Sequence, residues 1–325
     1  MPELPEVETV KRGLNKLTLN QEITGGDVLL NRAIAYPFST DEFLRGITRT
    51  SIKSWYRRGK YLLAELVDTS SDTFSNSSKN LSSNSKSTTQ NSKSRNSKSE
   101  FPNSSIFPSS TSSWLGVHLR MTGQLLWQNS AEEVHKHTRV RIYFGKQQDG
   151  KQQELRFVDQ RTFGKVWWVP PGIATEEVIT GLAKLAADPF SKEFTSQYLY
   201  KKLENRRRPI KTALLDQSVV SGLGNIYADE ALFKSNILPQ TLCLDLKPPQ
   251  IENLHSAIIQ VLIASIEAGG TTFSNFLNVQ GVNGNYGGVA WVYNRAGEPC
   301  KVCGSPIQRI KLAGRSSHFC LQCQN

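Results

Sequence analysis

Four cysteines near the carboxyl end constrain this chain more than any other feature. They fall in the pattern Cys300-x2-Cys303-x16-Cys320-x2-Cys323. Two such knuckles supply four thiolates, which close a tetrahedral zinc site, and the spacer has the length of a β-hairpin ribbon. With no open coordination position, the one Zn2+ is expected to be structural. Sites of this kind contribute roughly 10 to 16 kcal/mol to folding a segment too small to bury its own core. Two disulfides are the alternative, disfavoured because the amino terminus, with Glu3, Glu6 and Glu8 and no apolar region, does not read as a secretory signal. A reducing, cytoplasmic setting follows as the expectation. Cys243 is left over as a small packed hydrophobe, and His318 is expected at the surface because four sulfurs already complete the shell.

Charge narrows the choice of partner. The 325 residues carry 39 Lys+Arg against 28 Asp+Glu, a net charge of +11 with a pI near 9.4. That excess favours a polyanion, either nucleic acid or an anionic membrane surface. The longest apolar stretch, Ala257 to Ala264, is interrupted by Gln260 and falls far short of the ~20 residues that span a bilayer, so the chain reads as soluble. The cysteine hairpin carries Arg309, Lys311 and Arg315, and a second basic run (Lys201, Lys202, Arg206, Arg207, Arg208, Lys211) precedes the segment GLGNIY at 222–227. Gly222 and Gly224 would let backbone approach a ligand, and Asn225 would open a helix whose free N–H groups bind phosphate. Together they look like two elements gripping one nucleic-acid backbone.

Residues 68–113 stand apart from both ends of the chain. This stretch holds 19 Ser and only five large apolar residues, too few to offset the entropy of ordering it, and it reads as a disordered insertion. The runs on either side, 61–67 and 114–119, look like two strands that it joins. Segments 138–144, 154–158 and 165–169 add further strands before a Pro170-Pro171-Gly172 break. Beyond residue 187 the pattern turns helical, with Ile251, Leu254, Ile258, Val261, Leu262 and Ile266 at helical spacing and a stop at Gly269-Gly270. The expected class is α+β: an amino-terminal β-sandwich with an opening helix over 1–169, a linker over 170–187, a helical domain over 188–290 and a zinc ribbon over 291–325.

The amino terminus itself carries chemistry. Removal of Met1, which the small Pro2 permits, would expose a secondary amine. An α-amino group titrates near pH 8, so part of it is free at neutral pH to attack a sugar C1′. Glu3 is adjacent and Glu6 one turn on, so carboxylates for proton transfer lie within reach. Pro and acids in a first helical turn are also ordinary helix-starting chemistry, and the motif alone does not choose between the readings.

Six motifs taken in order do choose. MPELPEVETV (1–10), RGKYL (58–62), HLRMTG (118–123), DQRTFG (159–164), GLGNIYADE (222–230) and the four-cysteine ribbon make the chain resemble the bacterial formamidopyrimidine-DNA glycosylases, also called 8-oxoguanine DNA glycosylases. The Gly-rich stretch 283–288 looks most like cyanobacterial members. This resemblance implies a monomer that acts on double-stranded DNA containing oxidised bases, with the helical domain a helix-two-turn-helix module. It implies removal of oxidised purines and cleavage of the abasic site by β,δ-elimination. It makes Pro2 the Schiff-base nucleophile, Glu3 the proton donor, Lys60 the proton donor for β-elimination and Arg315 that for δ-elimination. His137, Arg161 and Arg206 become DNA contacts, and His118, Lys211 and Asn225 become phosphate holders. Met121, Arg161 and Phe163 fill the gap left by the extruded nucleotide, a base-capping segment lies around 279–288, and Thr162 stands where relatives often have a basic residue. Without the resemblance, Met121 reads better as core filler and Lys60 equally well as a surface lysine. Two rival readings are an endonuclease VIII-like glycosylase for oxidised pyrimidines, against which Leu4, Met121, Arg161 and Phe163 argue, and a non-catalytic damage-binding zinc protein, against which the Pro2-Glu3 pair argues.

Overall fold

A computed structural model describes residues 1–69, 112–146, 150–271 and 277–325. Most of the serine-rich insertion lies outside the described residues. The two strands expected on either side of it are present and paired: β4 (Tyr61–Asp68) runs antiparallel to β5 (Ser113–His118), with Tyr61 opposite His118.

Two sheets form the amino-terminal half. One has five strands in the order β2 (Ile34–Tyr36), β9 (Lys165–Val169), β5, β4, β3 (Thr50–Arg58), with only the β2–β9 pair parallel. The other has four, ordered β1 (Ile23–Val28), β7 (Thr138–Lys146), β8 (Gln152–Asp159), β6 (Gly123–Asn129). Alternation along β7 places Val140, Ile142 and Phe144 inward, as the period-two pattern requires. They share a core with Leu62, Ala64, Leu115 and Val117 from the facing sheet and with Phe43 and Ile47 of α2 (Thr40–Ile47). The outer face of the five-stranded sheet is covered too: α3 (Thr175–Val178) and the turns after it pack Ile179 and Leu182 against Tyr61, Trp114 and Trp167. The segment expected as a linker is therefore partly built into the amino-terminal half.

The opening helix α1 (Leu4–Leu17) belongs to two cores. Val7, Val10 and Leu14 enter the sandwich, whereas Leu4 enters the core of the helical half. That second core is made by α4 (Ser196–Leu203), α5 (Ile210–Leu214), α6 (Asn225–Lys234) and α7 (Pro248–Glu267), with Tyr286 of the short α8 (Tyr286–Val289) against it. The 20-residue α7 matches the helix expected from the 251–266 periodicity. A salt-bridged Arg57 fastens the halves further: its guanidinium reaches Glu8 at 2.9 Å and Asp188 at 2.6 Å, with all three side chains largely buried. Burial works against ionising Glu8, yet Arg57 and Lys11 hold its carboxyl down to about 2. At the carboxyl end, β10 (Gln308–Leu312) and β11 (Arg315–Phe319) form the expected hairpin.

Candidate active site and nucleic-acid interface

The start of α1 is held in the seam between the halves. Leu4 N–H donates to the Gly222 carbonyl at 3.0 Å, and one oxygen of Glu3 accepts from the Ile226 N–H at 3.1 Å, at the amino end of α6. Both glycines of GLGNIY are explained by this approach. A Cβ on Gly222, whose φ is +82°, would lie 2.8 Å from Leu4, and one on Gly224 would lie 2.2 Å from the Glu3 carboxyl carbon. The close approach inferred from the sequence is real, but what approaches is the chain's own amino terminus.

Glu6 takes no part in the exposed chemistry. It is fully buried, accepting from Tyr227 Oη, from the Thr271 N–H at 2.9 Å and from the Glu3 N–H at 2.7 Å. Tyr227 in turn accepts from Ser265 at 2.6 Å, so this chain of bonds ties α1 to α6 and α7. The proton-transfer role considered for Glu6 gives way to a structural one.

Around this terminus lies a cavity of about 800 Å³ whose wall includes Met1, Glu3, Lys60, His118, Asn225 and Arg315. Lys60 follows Gly59 (φ +56°) in the β3–β4 turn and is buried rather than at the surface, donating to the Leu223 carbonyl at 3.1 Å. Burial and the nearby Arg315 lower its pKa, while Glu3 pulls it back up. Burial also pushes the Glu3 carboxyl up to about 7, against the pull of Lys60, and among the described residues its second oxygen has no hydrogen-bond partner. A carboxyl of this kind is protonated in part at neutral pH and can donate. His118 is driven down to about 3 by burial and by Arg120 and Lys60, so its ring is neutral. Its Nδ1 accepts from the Arg120 N–H at 3.0 Å, which leaves the proton on Nε2. Asn225 does open α6, and its buried Oδ1 has no hydrogen-bond partner among the described residues.

A second cavity of about 430 Å³ adjoins the first and is lined by Pro2, Met121, His135, Lys136 and His137. Met121 and Phe163 are 40% and 50% exposed, so Met121 is no core filler. Arg161 sits with its guanidinium 5.0 Å from the Phe163 ring centre, an arrangement that holds a charged donor beside an apolar face.

The ribbon is docked on α6 by a buried cluster. Asp229 receives Lys211 Nζ at 2.7 Å and both the backbone N–H and Nδ1 of His318 at 3.0 and 3.2 Å. Lys211 also donates to the Ser316 carbonyl at 2.6 Å. His318 is therefore buried, contrary to the surface position expected, because its hairpin packs against α6 and Asp229 is there to receive it. Lys211 is buried with internal partners, and Arg206 donates to the Lys202 carbonyl at 2.7 Å. Glu230 adds a further anchor, accepting three consecutive N–H groups, those of Trp291, Val292 and Tyr293, at 2.8 to 2.9 Å. The hairpin turn at Ala313-Gly314, both with positive φ, then delivers Arg315 to the larger cavity.

The four cysteine sulfurs lie within 4.8 Å of one another, with Cys300 and Cys323 at 3.9 Å and Cys303 and Cys320 at 3.4 Å. A tetrahedron of Zn–S bonds of about 2.3 Å has edges of about 3.8 Å, so the donor set fits zinc. Cys243 is buried in the helical core, as expected.

Sequence profiles place the chain among known proteins. The formamidopyrimidine-DNA glycosylase N-terminal domain matches residues 1–166, the H2TH domain of the same glycosylase 185–276, and the zinc finger found in FPG and IleRS 297–325. The chain belongs to the formamidopyrimidine-DNA glycosylase family. Relatives of that name from the cyanobacteria Nostoc punctiforme and Trichodesmium erythraeum are 68% and 58% identical, over 100% of this chain and 96% and 100% of theirs. Among solved structures, a Lactococcus lactis Fpg variant bound to Fapy-dG DNA superposes with a TM-score of 0.78 at 29% identity, covering all of both chains. The Lactococcus lactis Fpg bound to abasic-site DNA gives 0.77 at 29%, with 99% of each chain covered.

Within this formamidopyrimidine-DNA glycosylase framework, the structure gathers Glu3, Lys60, His118, Asn225 and Arg315 around one cavity and Pro2, Met121 and His137 around the next. Arg206 and Lys211 line neither. The sequence reading overlooked Asp229, which docks the ribbon. Its only signal was its place inside GLGNIYADE, beside a helix-opening asparagine.

Proposed function

We infer that this protein is a base-excision repair enzyme that removes oxidised purines from duplex DNA and then cleaves the abasic site. The observation that carries this reading is the meeting of Glu3, Lys60 and Arg315, from three distant parts of the chain, around the amino terminus. Once Met1 is removed, the Pro2 nitrogen is an amine and forms a bond to C1′ as the C1′–N glycosidic bond breaks, the base leaving with that electron pair. Glu3, protonated in part near pH 7, supplies a proton as the sugar ring opens to the iminium. Lys60 and Arg315, which line this cavity, would supply protons as the 3′ and then the 5′ phosphate depart in β- and δ-elimination. Neutral His118 offers Nε2–H to a phosphate, and the first turn of α6 offers backbone N–H groups other than that of Ile226, which Glu3 takes. Met121, Arg161 and Phe163 would occupy the gap in the stack, offsetting an unstacking cost of a few kcal/mol. Zinc, held by Cys300, Cys303, Cys320 and Cys323, supplies the cross-link that keeps the ribbon folded. The enzyme acts as a monomer.

The test is incubation with an 8-oxoguanine:cytosine duplex, with product ends resolved and a duplex carrying an oxidised pyrimidine in parallel. Loss of the purine, leaving phosphates on both flanks of a one-nucleotide gap, is the expected result. Preference for the pyrimidine would favour the endonuclease VIII-like reading. Binding without borohydride-trappable complex would favour a non-catalytic damage binder.

A further inference from the structure

The two exposed wedge residues come from separate segments. Met121 lies in the turn between β5 and β6, and Phe163 in the loop between β8 and β9. Each segment contains a residue in the left-handed region, Arg120 at φ +54° and Thr162 at φ +57°, so neither has a regular backbone ladder to hold its tip. Their side chains are 40% and 50% exposed, and the contact of Arg161 with the Phe163 ring lies within one loop, so it does not tie one tip to the other. What joins them is a chain of hydrogen bonds beneath the surface. Arg161 N–H donates to Thr122 Oγ1 at 3.0 Å, and Thr122 Oγ1 donates to one oxygen of the Asp159 carboxylate. The other Asp159 oxygen accepts the Gly164 N–H at 2.7 Å. Asp159 is itself 1% exposed and fixed through its backbone, its N–H donating to the His137 carbonyl at 2.9 Å and its carbonyl accepting from Arg139 Nε at 2.8 Å. Gly164 has to be glycine for this: a Cβ there would meet the Phe157 ring at 2.5 Å.

We propose that Thr122 and Asp159 are positioning residues that lock the two wedge segments into one rigid unit, and that this lock serves extrusion of the damaged nucleotide rather than cleavage of the strand. The proposal rests on the repair activity set out above. A wedge that enters a base stack must hold its shape while neighbouring bases press to restack. Two tips on separate loops can each fold away, whereas tips cross-linked at the Thr122 hydroxyl cannot move without breaking a bond to a buried carboxylate. Strand cleavage at an unpaired abasic site needs no wedge, since there is no base to extrude and no stack to hold open.

The experiment compares the wild-type protein with Thr122→Val, which removes the hydroxyl at constant shape, and Thr122→Ser, which restores it. Two single-turnover rates are read: base excision from an 8-oxoguanine:cytosine duplex, and β-elimination at an abasic site in a single strand. For Thr122→Val, excision should fall roughly ten- to a hundredfold, the effect of losing a hydrogen bond to a charged group, while β-elimination stays within about twofold. Thr122→Ser should excise at close to the wild-type rate. If Thr122→Val does not fold, Thr122→Ala serves the same comparison in a smaller side chain. Parallel losses in the two rates, undiminished excision, or a Ser variant as impaired as the Val variant would each overturn the proposal. A wild-type protein that excises nothing from either lesion duplex would instead sink the repair reading on which it rests.

Discussion

Replacing Glu3 by Gln isolates the energetic cost of holding that carboxyl in the seam between the two halves. Burial raises its pKa from 4.5 to about 7, against the opposing attraction of Lys60. The folded protein therefore binds this proton more tightly than the unfolded chain does. Its contribution to stability is fully present below about pH 4.5 and is lost as pH rises through about 7. The gap between those two values, at about 1.36 kcal/mol per pH unit, destabilises the ionised protein by about 3 kcal/mol. A glutamine side chain at this position would keep the shape and the acceptor for the Ile226 N–H without the charge. The Glu3→Gln variant should match the wild type at acidic pH and exceed it by about 3 kcal/mol at about pH 8.5, roughly 5 °C in melting temperature at ~2.1 cal/mol/K per residue for a chain of this length. Thermal unfolding of both proteins with zinc present, across that pH range, measures the difference directly. A gap that stays constant with pH, or a wild type more stable than the variant in alkaline buffer, would refute the assignment of a raised carboxyl. The same titration makes excision decline as pH rises above about 7, because the donor form is lost.

Gly224→Ala should abolish excision while leaving zinc content unchanged, because its Cβ would stand 2.2 Å from the Glu3 carboxyl carbon and push that group off the amino end of α6; zinc analysis beside a single-turnover assay checks it. Cys320→Ser should release zinc and unfold the ribbon while the sandwich remains folded. DNA affinity should fall and the log–log salt slope become shallower by about 0.9 for each phosphate no longer neutralised, whereas wild-type affinity and slope in a zinc-free variant would remove the ribbon from the DNA interface. A form forced to retain Met1 should give no borohydride-trapped complex with abasic DNA, since its Pro2 nitrogen is an amide, while Pro2→Gly with Met1 removed should retain some; intact mass verifies the processing, and equal trapping would exclude the terminal amine.

Short-range signals made several features legible in the sequence alone. Cys-x2-Cys spacing announces four sulfurs that can close on one ion wherever the hairpin lies. Alternation over 138–144 and helical spacing over 251–266 report which side of a strand or helix must be buried, since burial repeats with the element's own period. Tertiary structure alone decided the environments that give these residues their chemistry. Lys60 reads equally well as a surface lysine because nothing near it in sequence shows that Leu223, from the other half of the molecule, will cover it and accept its hydrogen bond. Glu6 and Glu3 look equivalent along the chain, yet three donors satisfy Glu6 while one buried oxygen of Glu3 has no partner among the described residues. His318 reads as surface beside a completed metal shell and is buried because Asp229 of α6 receives it. Desolvation and hydrogen bonding depend on neighbours more than a hundred residues away in some of these cases, and local sequence carries no record of which neighbours those will be.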